Sequence, residues 1–138
     1  MIEASYTLEP IGVVRSELDN LRAAPLQGDE GAPEAWLDLT AQVAQGLVGI
    51  TTGDELVILT WLHRARRDVR RVHPRGRIEA PLTDVFATRS PDRPNPVGLH
   101  RVAVLEVAEQ SLKIAPMEAI DGTPVVDIKP VLARSEDR

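Results

Sequence analysis

The sequence predicts a mainly β protein: a single closed antiparallel β-barrel of about seven strands with one or two short helices. Three observations predict it. Short runs of apolar and β-branched residues recur along the chain and are bounded by Gly and Pro. Long helical patterns do not alternate with these runs, which favours a barrel over a βαβ fold. At 138 residues with 43% hydrophobic side chains, the chain can bury one core, so residues 1–138 are expected to form one domain.

Seven runs have the composition of strands. In chain order they cover residues 6–15, 36–39, 56–62, 83–88, 97–107, 112–117 and 125–128. The first is interrupted by Pro10 and Gly12, which do not suit a regular strand interior. The run at 56–62 is almost continuously apolar, which predicts a strand buried on both faces. In the last run, alternation predicts that Val125 and Ile128 lie on opposite faces.

One segment has the spacing of a helix. Val43 and Leu47 are four residues apart, Thr40 precedes them as a candidate N-cap, and Gly49 follows as a stop signal. We therefore expect a short helix over residues 40–47.

The most informative segment, FATRSPDRPNPVGL, lies at residues 86–99 and is called the proline loop below. Each proline restricts its own φ and pushes the residue before it toward extended geometry. The loop should therefore be stiff and should hold Arg89, Arg93 and Asn95 in fixed directions. A preorganised polar ligand site needs both this rigidity and these donors. The alternative interpretation is a proline-rich connector whose arginines are only solvated.

A second segment, DGTPVVDIKP, lies at residues 121–130. It begins with a turn dipeptide and continues as a short strand that Pro130 ends. Asp121, Asp127 and Lys129 place charges around an otherwise apolar strand. They indicate either a ligand site or structural roles, in which Asp121 forms the turn and Asp127 pairs with Lys129.

Together the two segments resemble the signatures of the tRNA-methyltransferase O (TsaA-like) family, FATRSPxRPNP(I/V)G and DGTPV(L/V)DIKP. The resemblance continues through residues 11–16, 46–50 and 55–63, so it covers essentially the whole chain. It implies a homodimeric β-barrel that binds S-adenosylmethionine (SAM) and methylates N6 of threonylcarbamoyl-adenosine at position 37 of tRNA. The composition, with no cysteine and no charged-then-apolar leader, agrees with a cytoplasmic location. Many members carry a further C-terminal domain, which we do not expect here. Three positions depart from the family pattern, because Asp84, His100 and Val131 stand where Gly, Ser and Tyr are usual.

The resemblance also implies which residues bind the cofactor. They fall in an early loop, after the 56–62 strand, in the proline loop and in the 121–124 turn: Gln27, Gly28, His63, Arg64, Arg89, Leu99, Asp121, Gly122, Thr123 and Pro124. Leu99 is suited to an adenine face, and Arg89 is suited to the methionine carboxylate.

Catalysis of this reaction needs alignment and a proton acceptor. Methyl transfer from a sulfonium is an in-line displacement, which depends on orientation. The N6 amine of adenine is a poor nucleophile whose proton must be accepted. Asp127 and Asn95 are the candidate catalytic residues, with Asp121 and His100 as further candidates, and the sequence does not select among them.

Charge is distributed unevenly along the chain, whose net charge is −5. Residues 61–101 carry ten basic and four acidic side chains. Seven arginines lie in residues 64–77, called the arginine segment below: Arg64, Arg66, Arg67, Arg70, Arg71, Arg75 and Arg77. Arginine suits bidentate phosphate contacts, so we expect this segment to bind the anticodon arm of tRNA. The alternative is a solvated arginine-rich loop.

Other classes of site lack their sequence signatures. The chain has no cysteine for disulfides or thiolate chemistry, no glycine-rich turn of the Rossmann type, and no apolar run long enough to span a membrane. His63, His73 and His100 match no metal-binding spacing, so we expect no metal. A methyltransferase of small molecules on the same scaffold, and a non-catalytic SAM- or RNA-binding module, remain open as alternatives.

Overall fold

Six antiparallel strands close into a barrel, and two more form a small separate sheet. The computed structural model describes residues 4–19 and 32–132, and its strands are β1 (Gly12–Arg15), β2 (Ala35–Leu39), β3 (Glu55–Trp61), β4 (Arg71–Val72), β5 (Thr83–Asp84), β6 (Val97–Val107), β7 (Ser111–Ala115) and β8 (Pro124–Pro130). Around the barrel the order is β1, β2, β7, β6, β3, β8, and β4 pairs with β5. The predicted closed antiparallel barrel is confirmed.

Aliphatic side chains from alternate strand positions fill the barrel interior, as expected for a barrel of this size. The buried set includes Val14, Leu37, Leu56, Ile58, Val102, Val104, Leu112, Ile114 and Val125. In β3, however, Val57, Leu59 and Trp61 are only half-buried. The prediction that this strand is buried on both faces is therefore wrong, because the outer surface of the barrel is only partly covered.

The predicted helix is present and packs against the core. Residues Ala41–Ala44 form α1, which continues as a 3-10 turn over Gln45–Gly49. Thr40 caps it, because its Oγ1 accepts a hydrogen bond from the Val43 amide at 3.3 Å. Leu47 is buried in the core cluster. Within residues 4–19 and 32–132, no helix is long and apolar enough to cross a membrane.

Two predicted strands are shorter than expected. β1 begins only at Gly12, since Pro10 has no amide to donate to a neighbouring strand. The strand predicted at 83–88 ends at Asp84, and Val85–Ala87 forms a 3-10 turn. The Arg93 guanidinium donates hydrogen bonds to the carbonyls of Val85 and Thr88, so these carbonyls bind a side chain instead of a neighbouring strand.

A β-bulge changes the facing of β8. Leu59 of β3 pairs with Asp127, and the next residue, Thr60, pairs with Val125, which leaves Val126 as the extra residue. As a result Val125 is buried in the core and Ile128 packs against it. The prediction that these two residues lie on opposite faces is wrong, because simple alternation assumes an uninterrupted ladder.

Candidate functional site

The register of β3 brings distant segments of the chain to one end of the barrel. β3 pairs with β6 on one side and with β8 on the other. Its last residue, Trp61, pairs with Val97, and Thr60 pairs with Val125. The residues that follow β3, precede β6 and precede β8 therefore meet at this end, although the sequence separates Trp61, Val97 and Pro124 by 27 to 63 positions.

A cavity of about 500 Å³ lies where these segments meet. Its size is within the usual range for small-molecule and cofactor sites. Apolar walls come from both strands and the intervening segments: Leu59, Leu62, Ala65, Pro91, Val97, Leu99, Ala119 and Ile120. Ionisable side chains are placed around these walls: His63, Arg64, Arg89, Asp92, Arg93, His100 and Glu118. A ligand with an apolar ring and charged ends would match this lining.

Two arginines hold the proline loop in place. The Arg93 guanidinium donates to the carbonyls of Ser90 at 2.9 Å and Thr88 at 2.7 Å, inside the loop itself. Arg67 donates to the Pro94 carbonyl at 2.6 Å and to Asn95 Oδ1 at 2.9 Å. These bonds add to the stiffness of the prolines. They also engage Arg93 and Asn95 within the protein, and of the two loop arginines in the cavity lining, Arg93 is held by these carbonyls while Arg89 is exposed.

The 121–124 turn is tied to β1 and to the residue that follows it. Gly122 has a φ of 86°, which favours glycine, and its amide donates to the Val14 carbonyl at 2.8 Å. Asp121 Oδ1 accepts from the Ser16 amide at 2.9 Å. Of the turn residues, Thr123 lines the cavity, where it is buried and donates to the Ile120 carbonyl at 2.7 Å.

The structure brings half of the predicted cofactor residues into one lining. His63, Arg64, Arg89, Leu99 and Thr123 line the cavity, whereas the lining does not include Asp121, Gly122 or Pro124. Gln27 and Gly28 lie outside the described residues. The cofactor roles of all ten remain predictions.

The candidate catalytic residues Asp127 and Asn95 are not part of this lining. Asp127 accepts from the Ile128 amide at 2.8 Å and lies 3.3 Å from Lys129 Nζ. Asn95 Oδ1 accepts from Arg67. Any role for them in the reaction also stays a prediction.

Three side chains at the base of the cavity, Thr60, His100 and Glu118, form a buried chain of hydrogen bonds. The sequence singled out His100 but neither Thr60 nor Glu118. His100, which is 4% exposed, lies with Nε2 2.6 Å from Thr60 Oγ1 and Nδ1 2.5 Å from Glu118 Oε1. Thr60 is fully buried, and the Glu118 side chain is 15% exposed. The available signal was Glu118 itself, a single acidic residue inside the apolar run at 114–120.

The arginine segment combines exposed cations with internal contacts. All seven arginines are exposed. Arg66 pairs with Asp68 at 3.0 Å, and this hydrogen bond lowers the pKa of the Asp68 carboxyl. Arg71 pairs with Asp84 at 3.1 Å, and the Arg67 guanidinium lies over the Trp61 ring at 5.1 Å. The segment is thus partly structural, while Arg70 and Arg77 add exposed positive charge.

Histidines show no metal cluster in the part of the chain that is described. There, no group of three or more His, Cys, Asp or Glu side chains is placed to hold an ion. His73 Nδ1 lies 3.0 Å from the Ala80 carbonyl, near the small sheet, whereas His63 and His100 belong to the cavity.

Comparisons with known proteins agree with this architecture. The family model of the tRNA-methyltransferase O N-terminal domain matches residues 13–137. The crystal structure of TrmO from Pseudomonas aeruginosa superposes with a TM-score of 0.75 at 26% identity, covering 99% of this chain and 61% of that one. This chain thus spans about three-fifths of that solved structure.

Curated relatives of similar length are found in archaea. A probable S-adenosyl-L-methionine-binding protein of Methanothermobacter thermautotrophicus is 39% identical over 130 residues, which are 94% of this chain and 93% of that protein. An S-adenosyl-L-methionine-binding protein of Archaeoglobus fulgidus is 42% identical over 122 residues, or 88% of this chain and 86% of the relative. The chain belongs to the tRNA-methyltransferase O family.

Proposed function

We propose that the protein is a cytoplasmic SAM-dependent methyltransferase that methylates N6 of threonylcarbamoyl-adenosine at position 37 of tRNA. The observation that carries the proposal is the cavity at the end of the barrel, where the proline loop, the end of β3 and the 118–123 segment meet in a chain of this family. The names of the archaeal relatives support SAM as the cofactor.

The residues of the cavity fit this cofactor. Leu59, Val97 and Leu99 offer apolar surface to an adenine ring, and the guanidinium groups of Arg64 and Arg89 offer charge-assisted donors to a carboxylate. When bound, SAM supplies a methyl group activated by the positive sulfur. The chain's own residues bind and orient it, and the apolar walls exclude water from the reacting atoms. Well-oriented reactants can gain about 7–11 kcal/mol in this way.

We also propose that the protein acts as a homodimer. Near its start, the outer face of β6 exposes two apolar side chains, Val97 and Leu99. Val97 and Leu99 are 43% and 47% exposed and also line the cavity. A second copy placed on this face would cover apolar surface and close the cavity at the same time, with the self-complementary contact of a two-fold dimer.

The tRNA partner is supported by charge. Exposed arginines follow β3 directly, next to the cavity end of the barrel. A basic surface of this kind attracts phosphate groups even on an acidic protein, within the range set by ionic screening.

Cofactor binding and methyl transfer test the proposal separately. Calorimetry should show that Arg89→Ala weakens SAM binding by about one to two decades, since a charge-assisted bond contributes about 1.5–3 kcal/mol. Lys129→Ala is the control, because Lys129 is exposed on β8, lies opposite Val57 outside the cavity lining, and is 3.3 Å from Asp127. Equal SAM affinity in both variants and the parental protein would contradict this cofactor site.

The acceptor is tested with purified protein, SAM and tRNA that carries threonylcarbamoyl-adenosine. Mass spectrometry of the digested nucleosides should detect the N6-methylated product. SAM binding without any methylated nucleoside would favour a small-molecule acceptor or a non-catalytic binding module over the proposed function.

A further inference from the structure

The hydrogen positions in the buried chain Thr60–His100–Glu118 follow from the groups present. An ionised carboxylate only accepts hydrogen bonds, so the His100 Nδ1 that lies 2.5 Å from Glu118 Oε1 carries a hydrogen and donates it. In a neutral ring the other nitrogen, Nε2, is then an acceptor. Thr60 Oγ1, at 2.6 Å, donates to it. The Nδ1–H tautomer of His100 therefore satisfies both hydrogen bonds among these three side chains.

β3 and β6 leave room for the Thr60–His100 hydrogen bond at one position. Gly98 of β6 lies directly opposite Thr60 of β3. A Cβ added at Gly98 would lie 2.6 Å from His100 Nε2 and even nearer to Thr60 Oγ1. A side chain at this site would therefore displace the Thr60–His100 hydrogen bond.

Glu118 is the member of the chain that can meet a ligand. Its side chain is 15% exposed and lines the cavity, while both nitrogens of the His100 ring are already engaged. Asp92 is the other acidic residue of the lining, and its Oδ1 accepts from the main-chain amide of Arg66 at 2.9 Å, which ties the proline loop to the segment after β3. Glu118 thus combines access to the cavity with a carboxylate oriented by a buried imidazole.

We propose that Glu118 is the catalytic residue that accepts the proton of the methylated amine, and that His100 and Thr60 are positioning residues. The inference rests on the proposed function. As the amine nitrogen bonds to the methyl carbon, the electron pair of the breaking carbon–sulfur bond stays on sulfur. The N–H bond then breaks, its electron pair stays on nitrogen, and the proton moves to the Glu118 carboxylate. His100 donates to one oxygen of this carboxylate and so holds the other toward the cavity.

Kinetics of Glu118→Gln test the proposal with the full-length protein. We expect kcat for tRNA methylation to fall about 10²–10⁴-fold, the usual contribution of a general base, while KM for tRNA and calorimetric SAM affinity stay near parental. Glu55→Gln, an exposed carboxylate at the far end of β3, is the control and should keep parental kcat. A parental kcat in Glu118→Gln, or a loss found entirely in SAM affinity, would overturn the proposal.

A matched pair at Thr60 tests the positioning role. Thr60→Val removes the hydroxyl at nearly constant volume and should lower kcat about tenfold without changing KM, the pattern expected when a variant loses stabilisation of the transition state and not of bound substrate. Thr60→Ser keeps the hydroxyl and should restore most of the rate. If Glu118→Gln does not fold, this pair decides, and equal kcat in Thr60→Val and the parental protein overturns the proposal.

A readout that needs no methyl acceptor separates this inference from the proposed function. Nitrogen-15 NMR of the imidazole should show that His100 carries its hydrogen on Nδ1, and this signal should shift in Glu118→Gln. If the parental protein methylates no tRNA, the proposed function fails. The tautomer of His100 still tests the proposed hydrogen bonds from Thr60 through His100 to Glu118. An Nε2–H tautomer in the parental protein would overturn it.

Discussion

Gly98 shows how one residue controls the base of the cavity. It faces Thr60 across the β3–β6 ladder, and the space that its missing side chain leaves is occupied by the Thr60 hydroxyl and the His100 ring. Both of these neighbours are buried. Since packed interiors adjust to added atoms only with strain, this site should not accept even a methyl group.

Gly98→Ala is therefore expected to lower the free energy of unfolding by about 1–3 kcal/mol, as overpacking does elsewhere. Urea denaturation measures this change. Gly46→Ala is the control, because no atom beyond its own local backbone lies within 4 Å of an added Cβ there. A Gly98→Ala protein as stable as Gly46→Ala would show that the strands relax around the new methyl group.

Single arginines of the proline loop differ in ways that only contacts decide. The sequence predicts that Arg89 and Arg93 both point to a ligand. In the structure Arg93 donates to three carbonyls, those of Val85, Thr88 and Ser90, and so stabilises the loop. Arg89 is exposed and lines the cavity. Arg89 and Arg93 are only four positions apart, but the Arg93 guanidinium is held by carbonyls of the loop, whereas the exposed Arg89 is available to a ligand.

Neighbouring strands of the barrel are also joined by side chains on the outer surface. Asp38 of β2 accepts from Arg15 Nε of β1 at 2.7 Å and from Ser111 Oγ of β7 at 2.8 Å. The hydrogen bond from Arg15, helped by that from Ser111, lowers the pKa of the Asp38 carboxyl. The folded state thus favours the ionised carboxylate.

The stabilisation from Asp38 should depend on pH. Because its folded pKa lies below its unfolded value of about 3.9, the contribution is complete above that pH and is lost as pH falls through the folded pKa. Asp38→Asn should cost about 0.5–1 kcal/mol of unfolding free energy at pH 7, a modest value for a partly exposed ion pair. The difference from the parental protein should shrink below about pH 4.

Denaturation curves at pH 7 and pH 3 measure this effect. The exposed Glu106 provides the control variant Glu106→Gln, which should leave the unfolding free energy unchanged at pH 7. A difference between Asp38→Asn and the parental protein that persists unchanged at pH 3 would contradict the link to the Asp38 carboxylate.

The two ends of the barrel differ in the features that they carry. The cavity and the start of the arginine segment, Arg64 to Arg67, lie at the Trp61 end of β3, whereas Arg101 and Lys129 lie opposite Val57, nearer the start of that strand. If tRNA approaches the cavity end, phosphate contacts should be concentrated there. Arg70 and Arg77 are the best positions to test this, because the ion pairs of Arg66 and Arg71 make their variants harder to interpret.

Arg70→Glu/Arg77→Glu should weaken tRNA binding and lower the slope of log affinity against log salt concentration by about 1.5, since each phosphate contact contributes about 0.7–0.9. Filter binding at several salt concentrations measures both quantities. Arg101→Glu/Lys129→Glu makes the same change of charge away from the cavity and should have little effect. Equal losses in the two double variants would indicate attraction by total charge instead of a defined surface.

Local sequence patterns determined the fold class, the helix with its Thr40 cap, the two signature segments and the family. These depend on neighbouring residues, whose spacing reports strands, turns and caps directly. Five of the predicted cofactor residues also meet in one cavity. Motif position could place them together because each lies at, before or after the end of a strand that the barrel brings to the same side.

Three features could be found only from the tertiary structure. They are the bulge at Val126, the hydrogen bonds of Arg93 to carbonyls of its own loop, and the chain of hydrogen bonds from Thr60 through His100 to Glu118. The last joins residues that are 40 and 18 positions apart, and the bulge depends on how β8 meets β3. Such features arise from pairing register and from packing between strands. The spacing of residues along one strand carries no information about them, because its partner strand is chosen by the fold as a whole.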